Sequence, residues 1–400
     1  MPRRRCIPWL LGAALLMFLP TRTGRVLAQG AICGQFTDVP ASSVYCPFIL
    51  EAFISNITQG TSPTTFNPGD AVSRDQAATF FTRTMDQTLH RGSVRTAIGK
   101  TWAPLSTNGG IATDVGGSVN DVVTDGTNLW LARGDGKVLK VSVAERRLME
   151  TWSLASGAPN RLGVFAGQVW IADNLGRLHS FNPTDSPGSA NLLFTANATG
   201  VVGGGAALAF DGTSVWLGSS GGTRIFIYQV SSGGGSAFVP GGNVDGMVFD
   251  GTYMWVLMAN STLLKVSIPA PGGVPSVVET LTIPGLVNDC RMLYDGNNIW
   301  IPIGITGTLY VVRPTANPSV PSLIVLNQSI RDVLFPYVAS FDGENVMIGG
   351  TSNGVVALYK ATNLTLIRTL PSGAIGVRGI ASDGRTFNIG DYLGTRFFQF

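Results

Sequence analysis

Charge is scarce in this chain. Asp, Glu, Lys and Arg make up 13% of its 400 residues, against roughly 25% in an average soluble domain. The net charge of +3 is small and scattered, which argues against nucleic acid as a partner. Histidine is rarer still: His90 and His179 are the only 2. Neither has a Ser, Cys or carboxylate neighbour at a recognisable spacing, so a nucleophile triad or a histidine metal site is unsupported, and no metal or other cofactor is expected. Long apolar runs are missing too. Mean hydropathy is positive at +0.25, yet after the N-terminus no run approaches the roughly 20 residues that span a bilayer. Apolar residues come instead in short runs broken by Gly, Asn, Asp, Ser and Pro, the grammar of strands. Gly203-Gly204-Gly205 and 232–236 are glycine-rich without a following helix or phosphate-loop lysine, and read as surface loops.

What the chain does have is repetition. Asp211-Gly212-Thr213-Ser214-Val215-Trp216 has close copies at Asp125-Gly126, Ala166-Gly167, Asp250-Gly251 and Asp295-Gly296, each followed by a tryptophan (Trp130, Trp170, Trp255, Trp300). Asp342-Gly343 and Asp383-Gly384 lead instead to Met347 and Asn388. From Gly126 to Gly384 the shared glycine steps by 41, 45, 39, 45, 47 and 41 residues. That period suits a four-stranded propeller blade, so the chain is expected to be mainly β, with a seven-bladed β-propeller over 95–400. Within each repeat a short strand leads into the Asp-Gly turn and a second carries the Trp. A third and a fourth follow, as in Lys137-Val138-Leu139-Lys140-Val141 and Met149-Glu150-Thr151-Trp152. A lone blade cannot bury both faces, so the tryptophans are expected to fill the space between neighbouring blades rather than to stack on ligand. The last repeat ends one strand short, and a ring must close to avoid a bare sheet edge. Residues 99–105 and 110–115 both qualify as the closing strand; Lys100-Thr101-Trp102 echoes Glu150-Thr151-Trp152, which favours the first.

The N-terminus reads as a targeting segment. Arg3-Arg4-Arg5 precede an apolar run over 7–20, and Val26-Leu27-Ala28 offers small residues for a peptidase, so 1–28 is expected to be a cleaved signal peptide. The mature chain, with no transmembrane segment, is then exported. Ile32 before Cys33, where a small residue is wanted, argues against a lipid anchor. In an oxidising compartment Cys33 and Cys46 are expected to bridge, a loop worth about 3 kcal/mol. Cys290 is left over as a buried, inert thiol.

Residues 33–88 carry the helical pattern, followed by a hinge over 89–94. Phe48, Ile49, Ala52, Phe53 and Ile57 share one 3.6-period face, and Ala78, Phe81, Met85 and Leu89 another; Ser73 can cap the second helix. The stretch resembles an S-layer homology domain through Phe36-Thr37-Asp38-Val39, Ile57-Thr58-Gln59-Gly60, Thr65-Phe66-Asn67-Pro68 and Ser73-Arg74-Asp75-Gln76. The resemblance implies contact with acidic cell-wall polysaccharide or peptidoglycan-linked glycan through Ser73, Arg74 and Gln76. A guanidinium at Arg74 suits a carboxylate-bearing sugar. Asp75 and Gln76 stand where the family usually has Ala and Glu, and Asp75 would repel an anionic polymer. Such domains usually come in threes and this chain carries one, leaving open trimerisation, weak binding or a capping role.

The Asp-Gly-x-x-aliphatic-Trp pattern resembles secreted propellers of the YVTN and NHL type and, more distantly, the streptogramin lyases. That implies fold, not chemistry. The lyases' histidine near the propeller centre has no counterpart here, so the chain is not expected to be an enzyme. The sequons at Asn56, Asn197, Asn260, Asn327 and Asn363 matter only in a eukaryotic secretory pathway, which the resemblance argues against. One constellation remains: Asp121, Arg161, Asp245, Arg291 and Arg378 precede the Asp-Gly pair at a register that starts the innermost strand. They are expected to ring the channel mouth, either recognising a glycan or protein ligand or satisfying one another. The sequence thus reads as an exported cell-surface, cell-wall or extracellular protein (periplasmic in a Gram-negative cell). Its expected role is a wall-anchored binding platform; a wall enzyme acting at the propeller mouth and a purely structural envelope protein are the alternatives.

Overall fold

The computed structural model describes residues 32–54, 57–91, 110–194, 205–219, 221–269, 273–285, 290–315 and 320–400. It divides into two compact units, Met1–Gln87 and Thr88–Phe400. The expected signal peptide lies outside the described residues.

In the first unit a two-stranded sheet, Ile32–Cys33 and Phe36–Pro40, accompanies two helices, α1 (Cys46–Ile54) and α2 (Arg74–Arg91). The Cys33–Cys46 disulfide is present. Because it ties the first residue of α1 inward, the buried stripe of that helix runs through Cys46, Ile49, Leu50 and Phe53. Phe48, expected inside, is 72% exposed, and Ile57 lies past the helix end. On α2 the expected face is also turned outward: Ala78 and Phe81 are exposed, whereas Ala77, Phe80 and Arg83 are half-buried. The Arg83 guanidinium fixes this orientation by donating to the Ile57 carbonyl at 3.3 Å. Helix α2 continues through Arg91, into the stretch expected to be a hinge.

The second unit is a ring of seven four-stranded antiparallel sheets. Their innermost strands are Val119–Thr124, Pro159–Phe165, Gly205–Phe210, Val244–Phe249, Leu293–Tyr294, Pro336–Phe341 and Val377–Ser382, belonging to blades one to seven. Each lies against the innermost strand of the next blade, and the seventh returns to the first. Ile111–Asp114 completes blade seven, pairing Ile111 with Gln399 and Asp114 with Arg396. The closing strand is therefore the 110–115 candidate and not 99–105, which lies outside the described residues. The reason is connection length. Ile111–Asp114 stands as close in sequence to Val119 as the fourth strand of blade one, Leu148–Ser153, does to Pro159. The echo at Lys100-Thr101-Trp102 has no such spacing.

The Asp-Gly signature does more than turn the chain. Gly212 holds φ at 97°, a conformation open to glycine at little cost. Asp211 Oδ1 meanwhile accepts the N–H groups of Thr213 and Ser214 at 2.8 and 2.7 Å. Its Oδ2 accepts the indole N–H of Trp216 at 2.7 Å. The same indole–carboxylate bond recurs at Trp130–Asp125 (2.9 Å), Trp255–Asp250 (2.7 Å) and Trp300–Asp295 (2.7 Å). Blade two has Ala166 instead of Asp, and there the Trp170 indole turns to the Phe165 carbonyl at 3.0 Å. Each Trp is fully buried against the following blade, as expected: Trp216, for example, packs on Val244, Met247 and Met254. The apolar core is thus seven inter-blade wedges, one cluster for each. Cys290 is buried in one of them and outside any disulfide.

Candidate functional site

Near its start the innermost strand carries a bulge in six blades, at Val119/Asp121, Pro159/Arg161, Gly205/Ala207, Val244/Gly246, Pro336/Val338 and Val377/Gly379. A bulge leaves one residue out of the ladder and re-aims its neighbours' side chains. Asp245, Tyr337 and Arg378 are the residues left out in their blades, and Asp121 and Arg161 immediately follow theirs. Four of the five charged residues singled out by register, Asp121, Arg161, Asp245 and Arg378, therefore sit at or beside a bulge, while blade five has none among the described residues and Arg291 precedes its innermost strand, Leu293–Tyr294.

Two contacts cross the axis there. Arg291, from blade five, pairs with the fully buried Asp121 of blade one. Asp121 also accepts the N–H groups of Val122 and Leu162, at 2.9 and 2.7 Å. Arg161, from blade two, donates to the Tyr337 hydroxyl of blade six. The Arg378 Nε donates to the same hydroxyl at 3.1 Å. Both guanidiniums lie over the Tyr337 ring, 5.1 and 5.2 Å from its centroid, and Arg378 is also 4.8 Å from that of Tyr392. Asp245 is buried too, 4% exposed. Burial pushes the Arg291 pKa down to about 10, with Tyr337 acting in the opposite direction; it is still a cation at neutral pH. In a low-dielectric channel, opposite charges held this close bind one another first. The expected ring is thus a partition built on two cross-axis contacts, Arg291–Asp121 and Arg161–Tyr337, with Arg378 joining Tyr337 from the adjacent blade. Tyr337, its hub, escapes a search for charge, although it stands five residues before Asp342, the register that marks Asp245 and Arg378.

In the first unit Ser73, Arg74 and Gln76 open α2. The Ser73 N–H donates to Gln76 Oε1 at 3.0 Å and the Gln76 N–H to Ser73 Oγ at 3.4 Å, a reciprocal capping box. The Ser73 hydroxyl also donates to Asp75, and this bond, with backbone N–H donors, holds the Asp75 carboxyl below its ordinary pKa. Ser73 and Gln76 are therefore engaged in starting the helix. Arg74 is exposed and has no partner among the described residues. A groove of about 440 Å³ abuts this helix start, bordered by Gln59, Phe66, Asn67, Asp75, Gln76 and Arg83.

His179 has a partner that sequence spacing did not suggest. Its Nε2 lies 2.9 Å from Asp173 Oδ2 across two adjacent strands of blade two, both side chains buried. Burial raises the Asp173 pKa, but hydrogen bonds from His179 and Arg177 outweigh it, and the carboxyl sits below its ordinary value. Asp173 also accepts the N–H groups of Leu175 and Arg177 at 2.9 and 2.8 Å, so the cluster shapes the turn between those strands. Among the described residues no group of His, Cys, Asp and Glu could hold a metal.

Residues 35–78 match the S-layer homology domain family. No curated protein matches the chain. Among solved structures, the WD40 β-propeller domain of Doa1 is similar at a TM-score of 0.58 and 12% identity, covering 74% of this chain and 97% of that one. At that identity the fold alone is shared. The chain thus joins an S-layer homology domain to a seven-bladed β-propeller. Such a domain marks a cell-surface or cell-wall protein, and no helix among the described residues is long and apolar enough to cross a membrane.

Proposed function

We propose that this is an exported, non-enzymatic surface protein whose S-layer homology domain holds it to a cell-wall glycan while its propeller serves as a binding platform. The observation that carries the reading is Arg74. It is the exposed, unengaged cation at the helix start within the matched domain, whereas its neighbours Ser73 and Gln76 are tied into the cap. A guanidinium presents a planar fork to a sugar carboxylate. The non-enzymatic part is supported by the channel, where Asp121, Arg161, Arg291 and Arg378 are engaged with one another and with Tyr337 rather than set as a nucleophile beside a base. The test is co-sedimentation of the full chain with purified cell-wall sacculi. Retention is expected, with an Arg74→Ala chain retained at least fivefold less and an Arg74→Lys chain in between. Equal retention of all three would remove Arg74 from the anchor.

A further inference from the structure

Beyond the partition, towards the Asp-Gly turns, the channel widens into a cavity of about 330 Å³ that opens to solvent, at the lower end of the roughly 300–1,000 Å³ of ligand pockets. The residue just before the turn pair is aromatic in five consecutive blades: Phe165, Phe210, Phe249, Tyr294 and Phe341. All five are half-buried. Phe165 and Phe210 stack on each other, with centroids 5.1 Å apart. Phe249, Tyr294 and Phe341 border the cavity, and the arc is broken at blades one and seven by Thr124 and Ser382. The walls are apolar, with Val122, Met292, Ala339 and Ile380 among them, and the cavity reaches Arg291.

The polar capacity of this lining is low. Thr124 Oγ1 donates to the Asn128 carbonyl at 3.0 Å and accepts the Gly126 N–H at 3.0 Å. The Ser382 hydroxyl accepts the Gly384 N–H at 3.1 Å, and the Tyr294 hydroxyl donates to the Gly296 carbonyl at 2.7 Å. Two groups remain. Ser340 Oγ has no partner among the described residues, and neither do the Arg291 guanidinium N–H groups other than the one on Asp121. A neutral sugar buried here would forfeit most of its hydroxyl hydrogen bonds, each unmade bond costing roughly 1–3 kcal/mol. An acidic ligand is served differently. The cavity lining holds one cation and no carboxylate. Asp121 keeps its two amide donors if Arg291 turns part of its fork to a second anion.

The geometry points to a binding site for an apolar monocarboxylate, its acid group on Arg291 and Ser340 and its body between Phe249, Tyr294 and Phe341. This rests on the reading of the propeller as a binding platform and gives that platform a ligand class. The shared chemistry fits the free C-terminus of a peptide with an apolar last residue, or a small aromatic acid.

Calorimetric titration of the full chain distinguishes these sources. The probes are N-acetyl-Leu-Phe as its free acid, the same dipeptide as its carboxamide, 3-phenylpropionate, and a neutral hexose trisaccharide. The acids are expected to bind, and the carboxamide to bind at least tenfold more weakly. The tighter of the two acids identifies the source, and either order supports the site. Ser382→Phe, which narrows the cavity without touching a charge by placing a ring at the register that is aromatic in five other blades, is expected to weaken binding at least tenfold, as is Arg291→Gln. Because Arg291→Gln leaves Asp121 without its cation and can disturb folding, Ser382→Phe is the deciding variant. Equal binding of acid and carboxamide, binding that Ser382→Phe leaves intact, preference for the trisaccharide, or no binding of any probe at millimolar concentration each overturns the assignment. Sacculus retention, which reads Arg74, is a separate measurement, so failure here does not touch the anchor, nor its failure the cavity.

Discussion

In the S-layer homology domain five side chains, Cys33, Phe36, Val39, Cys46 and Ile49, form a single buried cluster around a disulfide. The propeller instead divides its core among seven wedges, each built to the same plan from one blade and the next. The difference is one of redundancy. Blade two lacks the aspartate, and blades six and seven lack the tryptophan, yet their wedges persist with Met347 on Ile380 and Phe387, and with Ala381 and Phe397 on Leu129. A repeat array sums many similar interfaces, so one can be remodelled while the others hold. Among the described residues the small domain has no second such cluster to fall back on.

The comparison is tested hardest inside one wedge. Trp216→Ala empties the contact of blade three with blade four and leaves Asp211 Oδ2 without its indole donor; we expect a loss of about 3–5 kcal/mol. Trp216→Phe keeps most of the aromatic bulk but not the donor, and is expected to cost about 1–3 kcal/mol. Both are read from urea denaturation of the full chain by tryptophan fluorescence. If Trp216→Phe is silent, the carboxylate is a turn-former only and its pairing with the indole carries no energy.

Next in size is the disulfide. Replacing Cys33 and Cys46 by Ser removes a cross-link worth about 3 kcal/mol in the chain-entropy account, a large share of the 5–15 kcal/mol typical of a whole domain. Hydrogen exchange followed by mass spectrometry should show lost protection over residues 32–91 and unchanged protection in the blades. Unchanged protection in the domain would mean that Phe36, stacked edge-on against Phe53 and Phe66 at 5.5 Å, suffices to hold it.

The propeller was legible because its signal is repeated: the Asp-Gly step fixes blade count and strand order without knowledge of any one contact. Signals that occur once were harder to read. The echo at Lys100-Thr101-Trp102 competed with the true closing strand at Ile111–Asp114, and only connection length separates them. The register of Asp121, Arg161, Asp245, Arg291 and Arg378 picks them out, but not how far a guanidinium reaches. The Arg161–Tyr337 and Arg291–Asp121 contacts join opposite sides of a ring whose diameter is a property of closure. In the helical domain a 3.6-residue period admits two neighbouring faces, and the choice between Phe48 and Leu50 was made by the disulfide at Cys46. The aromatic before each turn, from Phe165 to Phe341, was present in the sequence all along, hidden because Phe and Tyr in a strand pass for ordinary core.

The smallest expected effect sharpens the contrast between the two kinds of aspartate. Asp38 accepts the Phe66 N–H at 2.9 Å and the Asn67 N–H at 2.6 Å, joining a strand to a distant loop, and these donors hold its carboxyl below the ordinary 3.8. A depressed folded-state pKa means that the stabilisation is complete above the unfolded value and is lost as pH falls through the folded one. Asp125 in the propeller is also depressed, by the Asn128 and Thr127 amides and the Trp130 indole acting against burial. Six other wedges share the load there, whereas Asp38 has no counterpart among the described residues of its domain. Acidification from pH 5 to pH 3 should therefore loosen Phe66 and Asn67 before it loosens Thr127 and Asn128, as read from amide chemical shifts. An Asp38→Asn chain should show weakened Phe66 and Asn67 shifts already at pH 7 and no further change with acid. If the two loops respond together in the native chain, the small domain is better supported than its single cluster implies.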